Sequence, residues 1–409
     1  MVPKGWEEKP LIKLLDKIID YRGQSVPKAD NGIPLITARN VRFGYLDFSN
    51  QEYVDEGEFE NWMSRGIPDV GDILFTTEAP LGMACRFPEK GRYAVAQRTV
   101  TLRTSNRLHS DFLLYFLLSE HGQRLIDIRS SGSTAKGIKS AELKKVKLLH
   151  PTCINEQQKI AKILSTWDKA ISTTERLIEN STQQKKALMQ QLLTGKKRLL
   201  DDNGERFSGE WENQTIENLT SRVGDGIHST PKYTNKSSIR FVNGNNLNNG
   251  SIVFSDSTKF VDEEDAKNHH RNLSDRTILM SINGTIGNLA IYKDEDIVLG
   301  KSACYINVKE EVDVLFIFYK LASSEVQSHF ISRLTGSTIK NLSLTTIKSM
   351  QLALPSLKEQ QKIAAVLTNA DKEIEALEQQ LAHLQQEKKA LMQVLLTGKK
   401  RVVVDGEVA

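Results

Sequence analysis

The chain has 409 residues, 39% of them apolar and 26% charged, which allows two globular domains of ordinary size and reads as a soluble, cytoplasmic protein. No apolar run approaches the roughly 18–20 residues of a membrane span or the uninterrupted core of a signal peptide, and Cys85, Cys153 and Cys304 are too scattered for a disulfide framework. The formal net charge of +4 is too small to name a partner, so partners must be read from local patches.

Residues 1–150 read as a first globule in which strands predominate. Its ILFTTEA is a short apolar run closed by small residues, as a buried strand with a tight turn would be, and residues 111–128 form an amphipathic helix that leads into a GSTAK loop. Residues 151–200 hold a long helix over 156–193, free of Pro and Gly, bracketed by Pro151 and Gly195. Its apolar stripe is Ile160, Leu164, Trp167, Ile171, Ile178 and Leu188, interrupted by Thr174, Ser181 and Lys185.

Residues 201–355 repeat the skeleton of the first globule. IPLITARNV lies over IRFVNGNNL, DILFTTEAPLGMA over RTILMSINGTIGNLA, GSTAK over GSTIK, and Trp6 over Trp211. Residues 356–409 then repeat the helix, over 358–396, ahead of Gly398. Residues 156–198 and 359–401 align without a gap and are identical at more than half of their positions, both ending in LLTGKKR. The second stripe is Ile363, Leu367, Ile374, Leu377, Leu381, Leu384 and Leu391, broken at Lys388. Steps of three and four sustained over several heptads predict a coiled-coil seam, and with a globule between them the two helices are expected to pair antiparallel within the chain in preference to zipping between two copies. The predicted fold is α+β: two mostly-β globules of similar fold separated by two long helices.

A catalytic site is hard to find. Gly300-Lys301-Ser302 ends like a phosphate loop, but Glu295 stands where its first glycine belongs, so the backbone nest is missing. The chain has no Pro-Pro, hence no Asn/Asp-Pro-Pro-aromatic clamp for a flipped adenine, and Pro68-Asp69 has no ExK behind it at nuclease spacing. His269-His270 lacks the further ligands of a metal site and reads as a solvated loop.

Binding signals are better. Ser133, Thr134 and Lys136 of GSTAK, with Ser337, Thr338 and Lys340 of GSTIK, offer hydroxyls, amides and an ammonium suited to a phosphate oxygen, although a plain helix C-cap would look the same. Thr37, Arg39, Asn40 and Arg42 in the first globule have Asn243, Asn245 and Asn246 as their counterparts in the second. Arginine pairs bidentately with guanine and asparagine with adenine, so the two sets could read different bases; asparagine-rich stretches are also commonly mere turns. Arg98 and Lys301 complete the candidate contacts. The first globule is net positive but the second net negative, with acidic runs at 262–265 and 294–296.

Globule, helix, globule, helix, with GST…P…EQQKIA…LLTGKKR written twice, resembles the specificity subunit of type I restriction–modification systems over essentially the whole chain. The resemblance implies that 1–150 and 201–355 are target recognition domains, each reading half of a split double-stranded DNA target. It implies that 151–200 and 356–409 are antiparallel spacers relating the domains by a pseudo-two-fold axis. Catalysis would lie elsewhere: two modification subunits would carry S-adenosylmethionine, restriction subunits ATP and magnesium, and this chain no cofactor. The basic tails Lys196, Lys197, Arg198 and Lys399, Lys400, Arg401 would dock modification subunits or touch phosphate. The competing reading is a coiled-coil scaffold with two ligand-binding globules and no DNA role.

Overall fold

The computed structural model describes residues 2–132, 136–336 and 340–404. It divides into two compact units, unit 1 formed by Met1–Glu175 with Gln379–Ala409 and unit 2 by Arg176–Glu378. The boundaries fall inside the two long helices, Ile154–Leu192 and Leu357–Leu395, each about 58 Å long at 1.5 Å per residue. Unit 2 is therefore one continuous segment, a globule with a half-helix before it and another after it, whereas unit 1 joins its globule and the half-helix that follows to a half-helix returned from the end of the chain.

Unit 1 is built on a four-stranded antiparallel sheet in the order Leu15–Ile19, Thr99–Thr104, Ile73–Thr76, Ala84–Arg86. Every residue of Ile73–Thr76 is buried, which is why this strand reads as an unbroken apolar run and not as an alternation. A second sheet holds Lys28–Ala29, Glu52–Val54, Ile33–Ile36 and Ala94–Val95, the last pair parallel. The helices Ser110–Leu118 and Glu120–Ile128 cover the first sheet and are separated by Ser119, whose hydroxyl accepts from the Gly122 amide and caps the second helix. Trp6–Pro10 pairs with Lys147–Pro151, bringing the two ends of the globule together at the entry to the first long helix.

Unit 2 repeats this plan. Its main sheet runs Thr220–Asp225, Ala303–Val308, Thr277–Ser281, Leu289–Ile291, and Glu212–Thr215 pairs with Gln351–Leu354 as its closing ladder. Arg240–Val242 lies parallel to Ile297–Leu299, and the helices Val314–Ala322 and Ser324–Ser332 match the helix pair of unit 1.

The halves of the long helices run antiparallel within each unit. In unit 1, Glu156 meets Arg401 and Asp168 meets Lys388; in unit 2, Glu359 meets Arg198 and Asp371 meets Lys185. The apolar stripe is not a uniform seam. Ile160, Leu164, Ile363 and Leu367 are fully buried in the cores of their globules, and Leu391 packs against the unit 1 core. Trp167, Ile171, Ile178, Leu188, Ile374, Leu377, Leu381 and Leu384 are only half-buried. The lysines that interrupt the heptads are the other partner of a polar lock. Asp168 accepts from Tyr115 at 2.6 Å and from Lys388 at 2.5 Å, and Asp371 accepts from Tyr319 at 2.7 Å and from Lys185. Burial first, and the adjacent carboxylate, push both tyrosine hydroxyls up, so they remain donors; Arg86 opposes this in part at Tyr115 and the Thr368 hydroxyl at Tyr319.

Candidate nucleic-acid interface

Each of the strands Ile33–Ile36 and Arg240–Val242 ends in a tight turn built around an asparagine. Asn40 is fully buried; its Oδ1 accepts from the Thr37 amide at 2.9 Å and hydroxyl at 2.8 Å, and its Nδ2 donates to the carbonyls of Asp47 at 2.9 Å and Asn50 at 3.0 Å. Asn246 does the same in unit 2, accepting from the Asn243 amide at 3.0 Å and donating to Val253 O at 3.1 Å. Neither side chain has a polar atom left to offer a base. The expectation that Asn40 and Asn246 read DNA is therefore corrected: they are loop clamps, because an asparagine with both ends satisfied by backbone is an interior turn residue.

The position before each clamp differs. Arg39 and Asn245 occupy the same step of the same turn and both are exposed. Thr37 is half-buried, its hydroxyl bonded to Asn40 and to the Arg39 amide, and Asn243 is half-buried with Oδ1 accepting from Ser302 Oγ at 2.9 Å. These two shape the turn more than they present it. Arg42 pairs with Asp47 at 3.2 Å, and that carboxyl is held below its ordinary range by the Ser49 amide, then the Ser49 hydroxyl and Arg42.

Backbone bonds bring the remaining candidates to the same end of each sheet. In unit 1 the Thr77 amide donates to Arg98 O at 3.0 Å, the Ile138 amide to Thr77 O at 2.9 Å, and Gly137 bridges both Glu78 and Ser131. Arg98 lies on this platform paired with Glu78 at 3.0 Å, and Lys136 is paired with Asp127. In unit 2 the Ile282 amide donates to Ser302 O at 2.9 Å, the Leu342 amide to Ile282 O at 2.9 Å, and Asn341 bridges Asn283 and Thr335. Asn283 Nδ2 donates to Lys301 O at 3.1 Å. Lys301 and Lys340 are exposed, with no ion pair to a described residue. Ser133, Thr134, Ser337 and Thr338 lie outside the described residues.

Two arginines that the sequence reading passed over join the unit 1 platform. Arg22 donates to Ile138 O at 2.8 Å, and Arg65 to Asp20 O at 2.6 Å and Arg22 O at 3.2 Å. Burial alone would raise the Asp20 carboxyl, but bonds from the Arg22 side chain and amide outweigh it and hold the group low. The corresponding Asp225 accepts from His228 at 2.8 Å, and Arg271 donates to its carbonyl at 3.3 Å. An acidic residue at or just past the end of the first strand of each main sheet was the available signal. The acidic run of unit 2 begins the helix Glu263–Lys267, where Asp262 caps the helix and Lys267 pairs with Glu264 at 2.6 Å.

The basic tails differ from expectation. Arg198 grips Glu359 through two bonds of 2.6 Å, and Arg401 grips Glu156 at 2.6 and 2.7 Å; both carboxylates are buried. These arginines are ion-paired within their own units, Arg198 largely covered and Arg401 with 46% of its side chain still exposed. Lys196, Lys197, Lys399 and Lys400 remain exposed. Beside each clasp a left-handed glycine covers the tryptophan that opens the globule: a Cβ on Gly195 would stand 3.3 Å from Trp211, and one on Gly398 3.1 Å from Trp6. No helix of the described residues is long and apolar enough to cross a membrane.

A family model described as the type I restriction modification DNA specificity domain matches this chain twice, over residues 3–181 and 209–386. The chain is 26% identical to the putative type I restriction enzyme MjaX specificity subunit of Methanocaldococcus jannaschii, covering 98% of this chain and 95% of the relative. It is 23% identical to the MjaVIII specificity subunit of the same organism, covering 98% and 94%. In fold it is similar to the crystal structure of the type I restriction–modification S subunit from M. genitalium, with a TM-score of 0.61, 16% identity and 96% of each chain covered.

Proposed function

The chain belongs to the family of type I restriction–modification DNA specificity proteins, and from that premise we propose that each unit reads one half of a bipartite double-stranded DNA target. The long helices set the distance between the halves and dock two modification subunits, and restriction subunits complete the assembly. The chain itself is non-catalytic and cytoplasmic; S-adenosylmethionine, ATP and magnesium belong to its partners.

One observation carries this reading. The two units share their hidden framework, down to Asn40 and Asn246, yet present Arg39 in one and Asn245 in the other at the same exposed step. A framework copied twice with different groups displayed on it suits two dissimilar half-sites. Arg39 suits the O6 and N7 of guanine and Asn245 the N6 and N7 of adenine, while Lys301 and Lys340 suit phosphate.

Sequencing of methylated adenines in cells with and without this gene tests the proposal, since it reports a motif, its spacer and the modified bases together. A bipartite motif that disappears with the gene is expected. Arg39→Ala should then relax one base pair of one half-site, by roughly 1–3 kcal/mol of discrimination. A methylation pattern independent of the gene, with no salt-dependent DNA binding by the assembled complex, would leave the scaffold reading in its place.

A further inference from the structure

The clamped turns lead into two hairpins of matching length and anchoring. Val41 bridges Leu46 in unit 1, and Leu247 pairs with Ile252 in unit 2. The Gly44 amide (φ 98°) donates to Ala84 O at 2.9 Å, and the Gly250 amide (φ 80°) to the corresponding Leu289 O at 3.1 Å. Asn40 and Asn246 tie down the returning strands, with the Asp47 amide donating to Asn40 O at 2.8 Å and the Val253 amide to Asn246 O at 2.7 Å. The tips differ in side chains and in backbone, Asn249 being left-handed (φ 46°) and Phe43 not. Unit 1 displays Arg42-Phe43-Gly44-Tyr45, and unit 2 displays Asn248-Asn249-Gly250-Ser251.

Phe43 is 50% and Tyr45 61% exposed, on a turn fixed by the Arg42 amide donating to Tyr45 O at 2.9 Å. Phe48 beside them is propped against Tyr93, the ring centroids 5.7 Å apart. Two large aromatic side chains held out from a rigid turn contribute little to folding, since apolar surface left in water forgoes its burial energy. The neighbours are cationic, Arg39 fully displayed and Arg42 partly so.

We propose that Phe43 and Tyr45 form an aromatic wedge that presses on base faces in the half of the DNA target read by unit 1. Unit 1 then senses how easily one base step opens, in addition to the base edges reached by Arg39, whereas the amide and hydroxyl tip of unit 2 has no wedge. This rests on the reading of the units as DNA readers. Aromatic rings against base faces, beside the Arg39 guanidinium at the base edges, is a complementary pairing of shape and charge. A modification subunit is the less fitting occupant. A surface that docks the same kind of subunit on both units should carry like residues on both, and here the scaffold is common while the tip is not.

The test uses the full chain assembled with its modification subunits, and duplexes of the motif found by methylation sequencing. The double variant Phe43→Asn, Tyr45→Ser gives the unit 1 hairpin the Asn-Gly-Ser of the unit 2 tip and removes both rings. About tenfold weaker binding to the intact duplex is expected, as for the loss of a base–aromatic stack. The slope of log K against log salt should be unchanged, since no phosphate contact is removed. A single mismatch at the wedged step should restore the variant to wild-type affinity, because the step is already open, and mismatches in the other half-site should restore nothing. Unchanged affinity on every duplex overturns the wedge, as does a uniform loss with a reduced salt slope. So does a variant that no longer assembles with modification subunits. If the wild-type complex itself shows no salt-dependent preference for the motif, the DNA reading falls and the wedge with it.

Discussion

Replacing Arg198 by methionine removes two charge-assisted bonds of 2.6 Å from Glu359 and leaves its carboxylate, whose side chain is 0% exposed, without a cation. Breaking a buried ion pair from one side costs about 3–5 kcal/mol, because the remaining charge has lost both its partner and its water. The same change at Arg401 should cost less. Glu156 is 3% exposed, but the Arg401 side chain is 46% exposed against 19% for Arg198, so water can enter the space the guanidinium leaves. A loss of about 1–3 kcal/mol is expected there. Hydrogen exchange on the intact chain reads the two clasps separately. Arg198→Met should deprotect the start of the second long helix and spare the start of the first, and Arg401→Met should do the reverse with a smaller amplitude. Adding Glu359→Gln to Arg198→Met removes the stranded charge and should recover most of the loss. Equal and small effects at both arginines, or a double variant no better than the single, would refute the view that these arginines are internal clasps.

Asn40→Ala orphans the Thr37 amide and the carbonyls of Asp47 and Asn50, and should destabilise unit 1 by about 1–3 kcal/mol, visible as raised exchange of the amides around residues 41–50. Lys320 is 5% exposed, donates to Leu193 O at 3.0 Å and sits 5.9 Å from the Trp211 ring. Burial, opposed in part by Glu325, lowers its pKa, so the unfolded chain binds this proton more tightly than the folded one. Wild-type stability should therefore rise with pH as the folded pKa is passed on the way to about 10.5, and Lys320→Met, measured by denaturant titration, should abolish that rise and stabilise unit 2 by about 1 kcal/mol at neutral pH. Lys340→Ala should weaken binding about equally for all sequences and reduce the salt slope by about 1; a change in the preferred base would instead move Lys340 to a base edge.

Much of the fold could be read in advance because its signals are local. The long helices announce themselves by apolar periodicity and by the absence of Pro and Gly, and the observed spans, Ile154–Leu192 and Leu357–Leu395, begin and end within two residues of the expected ones. The Trp6 and Trp211 match proved structural, each ring lying beneath the glycine of a TGKKR tail. The failures have the opposite character. Asn40 looks like a base reader until residues 47 and 50 come back over it, and nothing nearby in the sequence fixes that return. Arg401 looks like a free cation at a tail because its partner, Glu156, lies at the far end of the other helix. Lys185 and Lys388 look like defects in a heptad until Asp371 and Asp168 are placed opposite them.

Those corrections share a physical direction. Each gives a polar group a partner inside its own unit, distant in sequence, that holds the unit together. The exposed candidates, Arg39, Arg98, Lys136, Asn245, Lys301 and Lys340, stand on a framework stiffened by the buried asparagines. That stiffness matters for reading bases, since a bidentate arginine contact discriminates only if the side chain arrives in one orientation. A turn fastened by four hydrogen bonds from one buried asparagine can exchange its displayed residue without refolding, so Arg39 and Asn245 can differ while Asn40 and Asn246 cannot. Grafting follows from this: Arg39→Asn should leave the stability of unit 1 within about 0.5 kcal/mol of wild type while changing the base it prefers. A graft that unfolds the turn would show that display and framework are not separable.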